Sequence, residues 1–218
     1  MSLNSQLEAE LQGILPGASL DITELADVPE LRLWLLNDNY PQQDLDAEGV
    51  RTVMANPLYW VFCWASGQVM AKFLLDSPGW VRGKRVLDFG CGSGVAGIAA
   101  ALAGAREVIA CDIDPLALQA ASLNAELNRI ELTLVDDFES VTGSIDLILV
   151  ADVLYDRSNL PWLDRFVGRA GKVLIADSRV KDFDVPPYRE IARLESCTWP
   201  DLDESPEFRD VRIYGTDG

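Results

Sequence analysis

The stretch that decides the fold is VLDFGCGSGVAGIAAALAG, from Val86 to Gly104. The apolar run over Arg85–Phe89 predicts a buried strand. Three glycines at alternate positions then predict a tight loop, and the alanine-rich run over Val95–Ala103 predicts a helix that ends at Gly104. A strand, a glycine loop and a helix in this succession predict the start of a βα alternation.

The alternation continues through the rest of the chain. Further strands are predicted over Glu107–Cys111, Leu132–Val135, Ile145–Val150 and Lys172–Ala176, with two closing strands in YREIARLESCTW and FRDVRIYG; helices are predicted from the Asp114 cap to about Asn128 and around Leu160–Gly168. Strands separated by such helices form parallel sheets covered on both faces. We therefore expect an α/β fold: a Rossmann-like, doubly wound, mostly parallel seven-stranded sheet with helices on both faces. Residues 1–57 are predicted to form a partly helical lead-in, and residues 58–218 the α/β domain.

The spacing of the glycines argues against a dinucleotide. The fingerprint G-x-G-x-x-G would need a glycine where the chain has Val95. Asp88 would also repel a pyrophosphate, which binds backbone N–H groups and avoids negative charge. S-adenosylmethionine (SAM) reverses this preference, because it carries an amino group and a sulfonium and has no phosphate. The loop therefore predicts SAM as the cofactor. The candidate contacts here are Asp88, Gly90, Cys91, Gly92 and Gly94.

Two further strand ends carry carboxylates. Asp112 follows the second predicted strand, where an acid can accept both ribose hydroxyls. Asp136 and Asp137 end the third, where an acid can accept the adenine amino hydrogens. We favour Asp137, with Asp136 as its solvated neighbour, although an ordinary acidic turn is the alternative. The adjacent Ile113 and Phe138 are further candidates for cofactor contacts.

Composition restricts the class of function. The net charge of −17 disfavours nucleic acid and suits a cationic small molecule or a lysine-rich protein segment, unless the acidity only keeps the protein soluble. The chain has no histidine and no CxxC pair among its 4 cysteines, so neither an imidazole base nor a metal site is expected. No run of about 18 apolar residues and no secretory signal are visible, so we expect a cytoplasmic protein without a membrane partner.

These motifs resemble a known family. VLDFGCGSGVAGIAAALAGAREVIACDIDP resembles the first motifs of class I SAM-dependent methyltransferases. YWVFCWASGQVMAKFLLD and ADVLYD resemble, more closely, the seven-β-strand protein lysine methyltransferases, and the nearest group is the electron transfer flavoprotein β-subunit lysine methyltransferases with their bacterial relatives. The resemblance covers most of the chain from about Asn56. The family commonly has Trp-Pro-Gly-Gly-Gln where this chain has Trp64-Ala65-Ser66-Gly67-Gln68.

The resemblance implies SAM-dependent methylation of a lysine nitrogen in a protein, with the flavoprotein β subunit as a candidate substrate. The Asp-x-x-Tyr motif after the fourth strand implies that Asp152 and Tyr155 are catalytic. Asp152, which also borders the cofactor, would hold and orient the incoming ammonium, and Tyr155 would pack on the lysine stem or donate a hydrogen bond. Trp64 would border SAM; Trp60 is a second candidate and Gln68 a weaker one.

Other functions stay open. The acceptor could be a small amine or another nitrogen nucleophile, because the cofactor motifs are the same. An NAD-dependent oxidoreductase is disfavoured by Val95 and Asp88. A catalytically silent SAM-binding module is disfavoured by the intact edge from Asp152 to Tyr155. The sequence does not determine the acceptor, the number of methyl groups added, the oligomeric state or the role of residues 1–50.

Overall fold

The computed structural model describes residues 3–40, 57–154, 157–180, 183–201 and 204–216. Within these ranges the helices are α1 (Leu3–Ile14), α2 (Ala65–Asp76), α3 (Val95–Leu102), α4 (Pro115–Leu127) and α5 (Trp162–Arg169). The strands are β1 (Leu20–Leu25), β2 (Val28–Leu36), β3 (Arg85–Phe89), β4 (Glu107–Cys111), β5 (Thr133–Val135), β6 (Ile145–Ala151), β7 (Ala170–Asp177), β8 (Tyr188–Glu195) and β9 (Asp210–Thr216). None of the described helices is long and apolar enough to cross a membrane.

Strands β3 to β9 form one 7-stranded sheet in the spatial order β5-β4-β3-β6-β7-β9-β8. The pairs among β3 to β7 are parallel, and β9 pairs antiparallel with β7 and β8. The prediction of a mostly parallel, Rossmann-like sheet is therefore confirmed. The strand order reverses between β3 and β6. Ligands bind outside the carboxyl ends of strands at such a switch point, where the glycine loop after β3 lies.

Both faces of the sheet are covered, because alternate residues of a strand point to opposite sides. Val86 of β3 and Leu147 of β6 are buried in the cluster that contains residues of α2 and α3. Their neighbours Leu87 and Ile148 are buried in the opposite cluster, which contains Phe166 of α5. This is the doubly covered arrangement that the sequence predicts.

The lead-in contains a β-hairpin that the sequence analysis did not predict. Helix α1 is followed by the antiparallel pair β1–β2. Within β2, Leu31, Leu33 and Leu35 are each 0% exposed, whereas Arg32 between them is exposed. This alternation is the strand period. The alternate leucines are thus a local signal for this strand that the prediction of a partly helical lead-in did not include.

Candidate active site

The glycine loop after β3 is attached to the end of the neighbouring strand. The backbone N–H groups of Gly90 and Cys91 both donate to the carbonyl oxygen of Cys111, at 2.8 and 3.1 Å. The Cys91 side chain is buried, and burial raises the pKa of its thiol well above the usual range. Cys91 therefore contributes its backbone to the loop and not a reactive thiolate.

Two glycines of the loop face different surroundings. Gly94 has a φ of 81°, and a Cβ atom there would lie 3.0 Å from the Cα of Ala121 in α4. Gly92 has a φ of 50°, and a Cβ atom there would meet no heavy atom of the described chain within 4 Å. Gly94 is thus needed for close packing of the loop on α4, whereas Gly92 borders open space in which a ligand could lie.

Asp88, on β3, lies beneath this loop. It is 2% exposed, and its Oδ2 accepts a 2.8 Å hydrogen bond from the backbone N–H of Gly97 in α3. Burial raises the pKa of Asp88 to about 7, and the nearby Asp112 acts in the same direction. The carboxylate therefore faces the first turns of α3. Attraction of a cofactor amino group by Asp88 stays a prediction.

Asp112 directly follows β4 and contacts the glycine loop. Its Oδ2 accepts from the backbone N–H of Gly92 and its Oδ1 from that of Asp114, both at 3.0 Å. Burial raises the pKa of this carboxyl group. The next residue, Ile113, is 91% exposed. Asp112, the predicted ribose contact, is thus bonded to the loop, and Ile113, a further candidate for a cofactor contact, follows it directly in the chain.

The carboxylates at the end of β5, unlike Asp112, lie at the protein surface. Asp137 and Asp136 are both exposed, and Asp137 Oδ1 accepts a 2.9 Å hydrogen bond from the N–H of Glu139. The Phe138 side chain is buried and packs on Phe89, with ring centroids 5.6 Å apart. Phe138 therefore anchors this turn to the sheet, and Asp137 stays at its surface.

Asp152 follows β6 and is held by the first turn of α2. Its Oδ1 accepts from the hydroxyls of Ser66, at 2.6 Å, and Ser178, at 3.2 Å; its Oδ2 accepts from the Ser66 N–H at 3.2 Å. Asp152 has a φ of 51°, a left-handed conformation that is uncommon for residues with a side chain. Tyr155, the other predicted catalytic residue, lies outside the described residues.

The charge state of Asp152 is set by opposing influences. Burial raises its pKa to about 6, and the neighbouring Asp177 acts in the same direction. The hydrogen bonds from Ser66 and the charge of Arg179 lower the pKa of Asp152. Asp152 is therefore mostly ionised at pH 7 but close to its titration range.

The glycine loop and the Asp152 segment lie against each other. A Cβ atom at Gly90 would be 2.9 Å from Cγ2 of Val153. The switch point thus brings together the ends of β3, β4 and β6, with Asp112 and Asp152 attached to the two outer strands of the three.

Comparison with known proteins places the chain in a family. The profile of Ribosomal protein L11 methyltransferase (PrmA) matches residues 73–158. The electron transfer flavoprotein β-subunit lysine methyltransferase of Xenopus laevis is 40% identical over 170 residues, which are 73% of this chain and 67% of the relative. The corresponding enzyme of Mus musculus is 39% identical over 152 residues, or 66% of this chain and 60% of the relative. The chain belongs to the family of electron transfer flavoprotein β-subunit lysine methyltransferases. It spans between about half and two thirds of the length of these curated relatives, 48% for that of Homo sapiens.

Solved structures share the fold. Magnesium protoporphyrin IX methyltransferase from Synechocystis PCC 6803, determined with bound SAM, has a TM-score of 0.52 and 18% identity, covering 69% of this chain and 78% of that one. A putative RNA methyltransferase from Pyrococcus horikoshii has a TM-score of 0.53 and 19% identity, covering 69% and 81%. The identity to the curated relatives confirms the sequence-based prediction of the lysine methyltransferase family, and the solved structures confirm the predicted fold.

The three candidates from the segment before and within α2, Trp60, Trp64 and Gln68, differ in their exposure to solvent. Trp64 directly precedes α2; its Nε1 donates to the Tyr59 carbonyl at 3.0 Å, and its ring lies 5.5 Å from that of Phe62. Trp60 is 1% exposed and packs with residues of α1 and α4. Gln68 is also buried and donates to the Cys197 carbonyl. Trp64 is thus the partly exposed tryptophan of this segment, while Trp60 and Gln68 belong to the core.

Sequence reasoning missed the two serines that hold Asp152. Ser66 and Ser178 are 0% and 3% exposed, and they lie far from Asp152 along the chain. One signal was present: Ser66 occupies the first glycine position of the run Trp-Pro-Gly-Gly-Gln that the family commonly has. No local pattern distinguishes Ser178.

Proposed function

We propose that this protein transfers a methyl group from SAM to a lysine side-chain nitrogen of a protein. The observation that carries the proposal is the convergence of the glycine loop, Asp112 and Asp152 at one sheet edge, in a member of a lysine methyltransferase family. The names of the curated relatives make the electron transfer flavoprotein β subunit the first acceptor to test.

The residues at the edge fit SAM. Gly92 borders open space, and a side chain there would fill it. Asp112 would accept hydrogen bonds from the ribose, and the exposed Ile113 would cover one face of the adenine. Asp137 would accept the adenine amino hydrogens, and the indole of Trp64 would lie near the sulfonium, because aromatic faces attract cations. When bound, SAM supplies a methyl group on a positively charged sulfur. A nitrogen lone pair can bond to the methyl carbon, and the sulfur then leaves as a neutral thioether.

Asp152 would receive the lysine. Its ionised carboxylate attracts the ammonium form of the side chain and fixes the direction of the nitrogen. The lysine must lose a proton before its nitrogen can react, and the positive charge nearby would favour that loss to water. Tyr155 would pack along the lysine stem or donate a hydrogen bond.

The test is a transfer assay with radiolabelled SAM and purified electron transfer flavoprotein, followed by mass spectrometry of the labelled peptide. We expect methyl-lysine in the β subunit and at least a hundredfold slower transfer by the Asp152→Asn variant. The Asp76→Asn variant is the matched control, because it removes an equal charge from the exposed end of α2, where Asp76 pairs with Lys72. Label confined to small amines, or SAM binding without transfer to this acceptor or to any protein of a cell lysate, would overturn the proposal.

A further inference from the structure

The Asp152 carboxylate is clamped from two elements by buried hydroxyls. Ser66, in the first turn of α2, contributes its hydroxyl and its N–H; Ser178, directly after β7, contributes its hydroxyl. Both serines are buried, with exposures of 0% and 3%, whereas Asp152 is half-buried. The donors therefore approach the carboxylate from the protein interior.

The bonds are distributed unequally over the two carboxylate oxygens. Oδ1 accepts both hydroxyls, which uses its two lone pairs. Among the described residues, Oδ2 accepts the Ser66 N–H and retains capacity for one more donor.

The backbone of Asp152 has a conformation that needs support from neighbouring elements. Asp152 has a positive φ of 51°, which a non-glycine residue keeps only where its surroundings hold it. Its own N–H donates to the Ala176 carbonyl of β7 at 3.1 Å, so backbone and side chain are both tied to neighbouring elements.

We infer that Ser66 and Ser178 are positioning residues that saturate Oδ1 of Asp152 and leave Oδ2 for the ammonium of the substrate lysine. The inference rests on the proposed function, since it assigns the lysine to Asp152. It adds a role for Ser66, which stands where the family commonly has glycine.

The groups around Asp152 act on its pKa in opposite directions. Asp177, at the end of β7, and burial both favour the protonated carboxyl, whereas Arg179 favours the ionised form. The buried Cys63 thiol, just before α2, is also close enough for Asp152 to raise the pKa of the thiol. With the thiol uncharged, the hydroxyl and N–H of Ser66 and the charge of Arg179 are the groups that lower the pKa of Asp152, and the Ser178 hydroxyl adds a second hydrogen bond to the same oxygen as the Ser66 hydroxyl. Removing a hydroxyl should therefore raise the pKa of Asp152 further.

The experiment compares the parent with the Ser66→Ala and Ser178→Ala variants by two readouts. Carboxyl ¹³C NMR titration, with the Asp152 signal assigned by its loss in Asp152→Asn, gives the pKa of Asp152 directly. The pH profile of kcat/KM on the flavoprotein gives the acid limb of the free enzyme. Ser196→Ala is the control, because Ser196 is a buried serine whose hydroxyl donates to a carboxylate elsewhere, that of Asp27, at 2.7 Å.

We expect the pKa of Asp152 to rise by half a unit or more in Ser66→Ala and by less in Ser178→Ala. The acid limb should move by the same amount, so a half-unit rise lowers kcat/KM at pH 6 about twofold beyond any loss at pH 8. Ser196→Ala should leave both readouts unchanged. An unchanged Asp152 pKa in both serine variants, or a changed pKa without movement of the acid limb, would overturn the inference. If the parent methylates no lysine, the proposed function is wrong. The NMR titration would then still show whether the two serines lower the pKa of Asp152.

Discussion

At the residue scale, each aspartate at the carboxyl end of a parallel strand accepts hydrogen bonds from a different part of the molecule. Asp88 accepts from α3, Asp112 from the glycine loop, and Asp152 from two serines. Each is bonded to donors that belong to a neighbouring element. A substitution at one of these carboxylates therefore changes the attachment of an element as well as a charge.

Gly92 and Gly94 should separate cofactor binding from folding. The Gly92→Ala variant keeps its fold, with a cost of about 1–2 kcal/mol for the left-handed backbone, but its methyl group occupies the open space beside the loop. We expect SAM affinity, measured by calorimetry, to fall at least tenfold. The Gly94→Ala variant should lose more stability in urea unfolding, because its methyl group also meets the backbone of Ala121. Equal stability losses with unchanged SAM affinity in Gly92→Ala would contradict this expectation.

The Asp88→Asn substitution should change the pH dependence of stability. The folded state raises the pKa of Asp88 from 3.8 to about 7, so it binds the proton more tightly than the unfolded chain does. The contribution of Asp88 to the free energy of unfolding therefore decreases as pH rises from about 4 to about 7. Asn keeps an oxygen for the Gly97 N–H and carries no charge.

We expect Asp88→Asn to gain about 1 kcal/mol or more relative to the parent between pH 5 and pH 8 in urea unfolding. The other carboxyls with raised pKa values are present in both proteins; of these, Asp112 is coupled to Asp88, so the difference reports Asp88 together with that coupling. A parent-to-variant difference that is the same at both pH values would show that Asp88 is ionised at both in the folded protein.

At the element scale, the N-terminal hairpin is attached to the site by Asn124 of α4 and by Asn128, which directly follows α4. Asn124, 0% exposed, accepts from the Trp34 N–H at 2.6 Å and donates to the Ser93 carbonyl of the glycine loop at 2.9 Å. Asn128 accepts from the N–H of Arg32 and donates to its carbonyl, at 3.0 and 2.6 Å. The backbone of β2 is thus hydrogen-bonded by the side chains of Asn124 and Asn128, and Asn124 also holds the glycine loop through Ser93.

Alanine substitutions at these two asparagines should have different effects on the cofactor. Asn124→Ala removes the partners of the part-buried Trp34 N–H and of the buried Ser93 carbonyl, at about 1–3 kcal/mol for a fully buried group, and releases the loop. We expect lower stability in urea and several-fold weaker SAM binding. Asn128→Ala, the control at the next turn, should lower stability by a smaller amount and leave SAM affinity at the parental value. Equal SAM affinities in both variants would show that the hairpin is not coupled to the loop.

At the scale of the whole molecule, the charge of −17 should act on the protein acceptor more than on the cofactor. Long-range attraction between an acidic surface and a basic segment weakens as salt shortens the Debye length, from about 14 Å at 50 mM to about 6 Å at 300 mM. We expect KM for the protein acceptor to rise several-fold over this range, with the dissociation constant of SAM changing less than twofold. A salt-independent KM would mean that the acidity serves solubility alone.

The sequence by itself determined the parts that depend on neighbouring residues. The apolar runs of the strands, the glycine spacing after Phe89 and the Asp114 cap, which accepts from the Leu116 N–H at 2.8 Å, are local features. They were sufficient for the sheet, the loop, the family and the places of Asp112 and Asp152, because strands and caps follow from short-range patterns.

Only the tertiary structure decided what each of these side chains faces. Ser66 and Asp152 are 86 positions apart, and Trp34 and Asn124 are 90 apart, so no local pattern relates them. The same holds for Asp88, because its position in the apolar run of β3 does not identify its donor, the Gly97 N–H of α3. Such pairs form only when packed elements bring distant segments together and leave each buried polar group needing a partner, which a single sequence does not specify in advance.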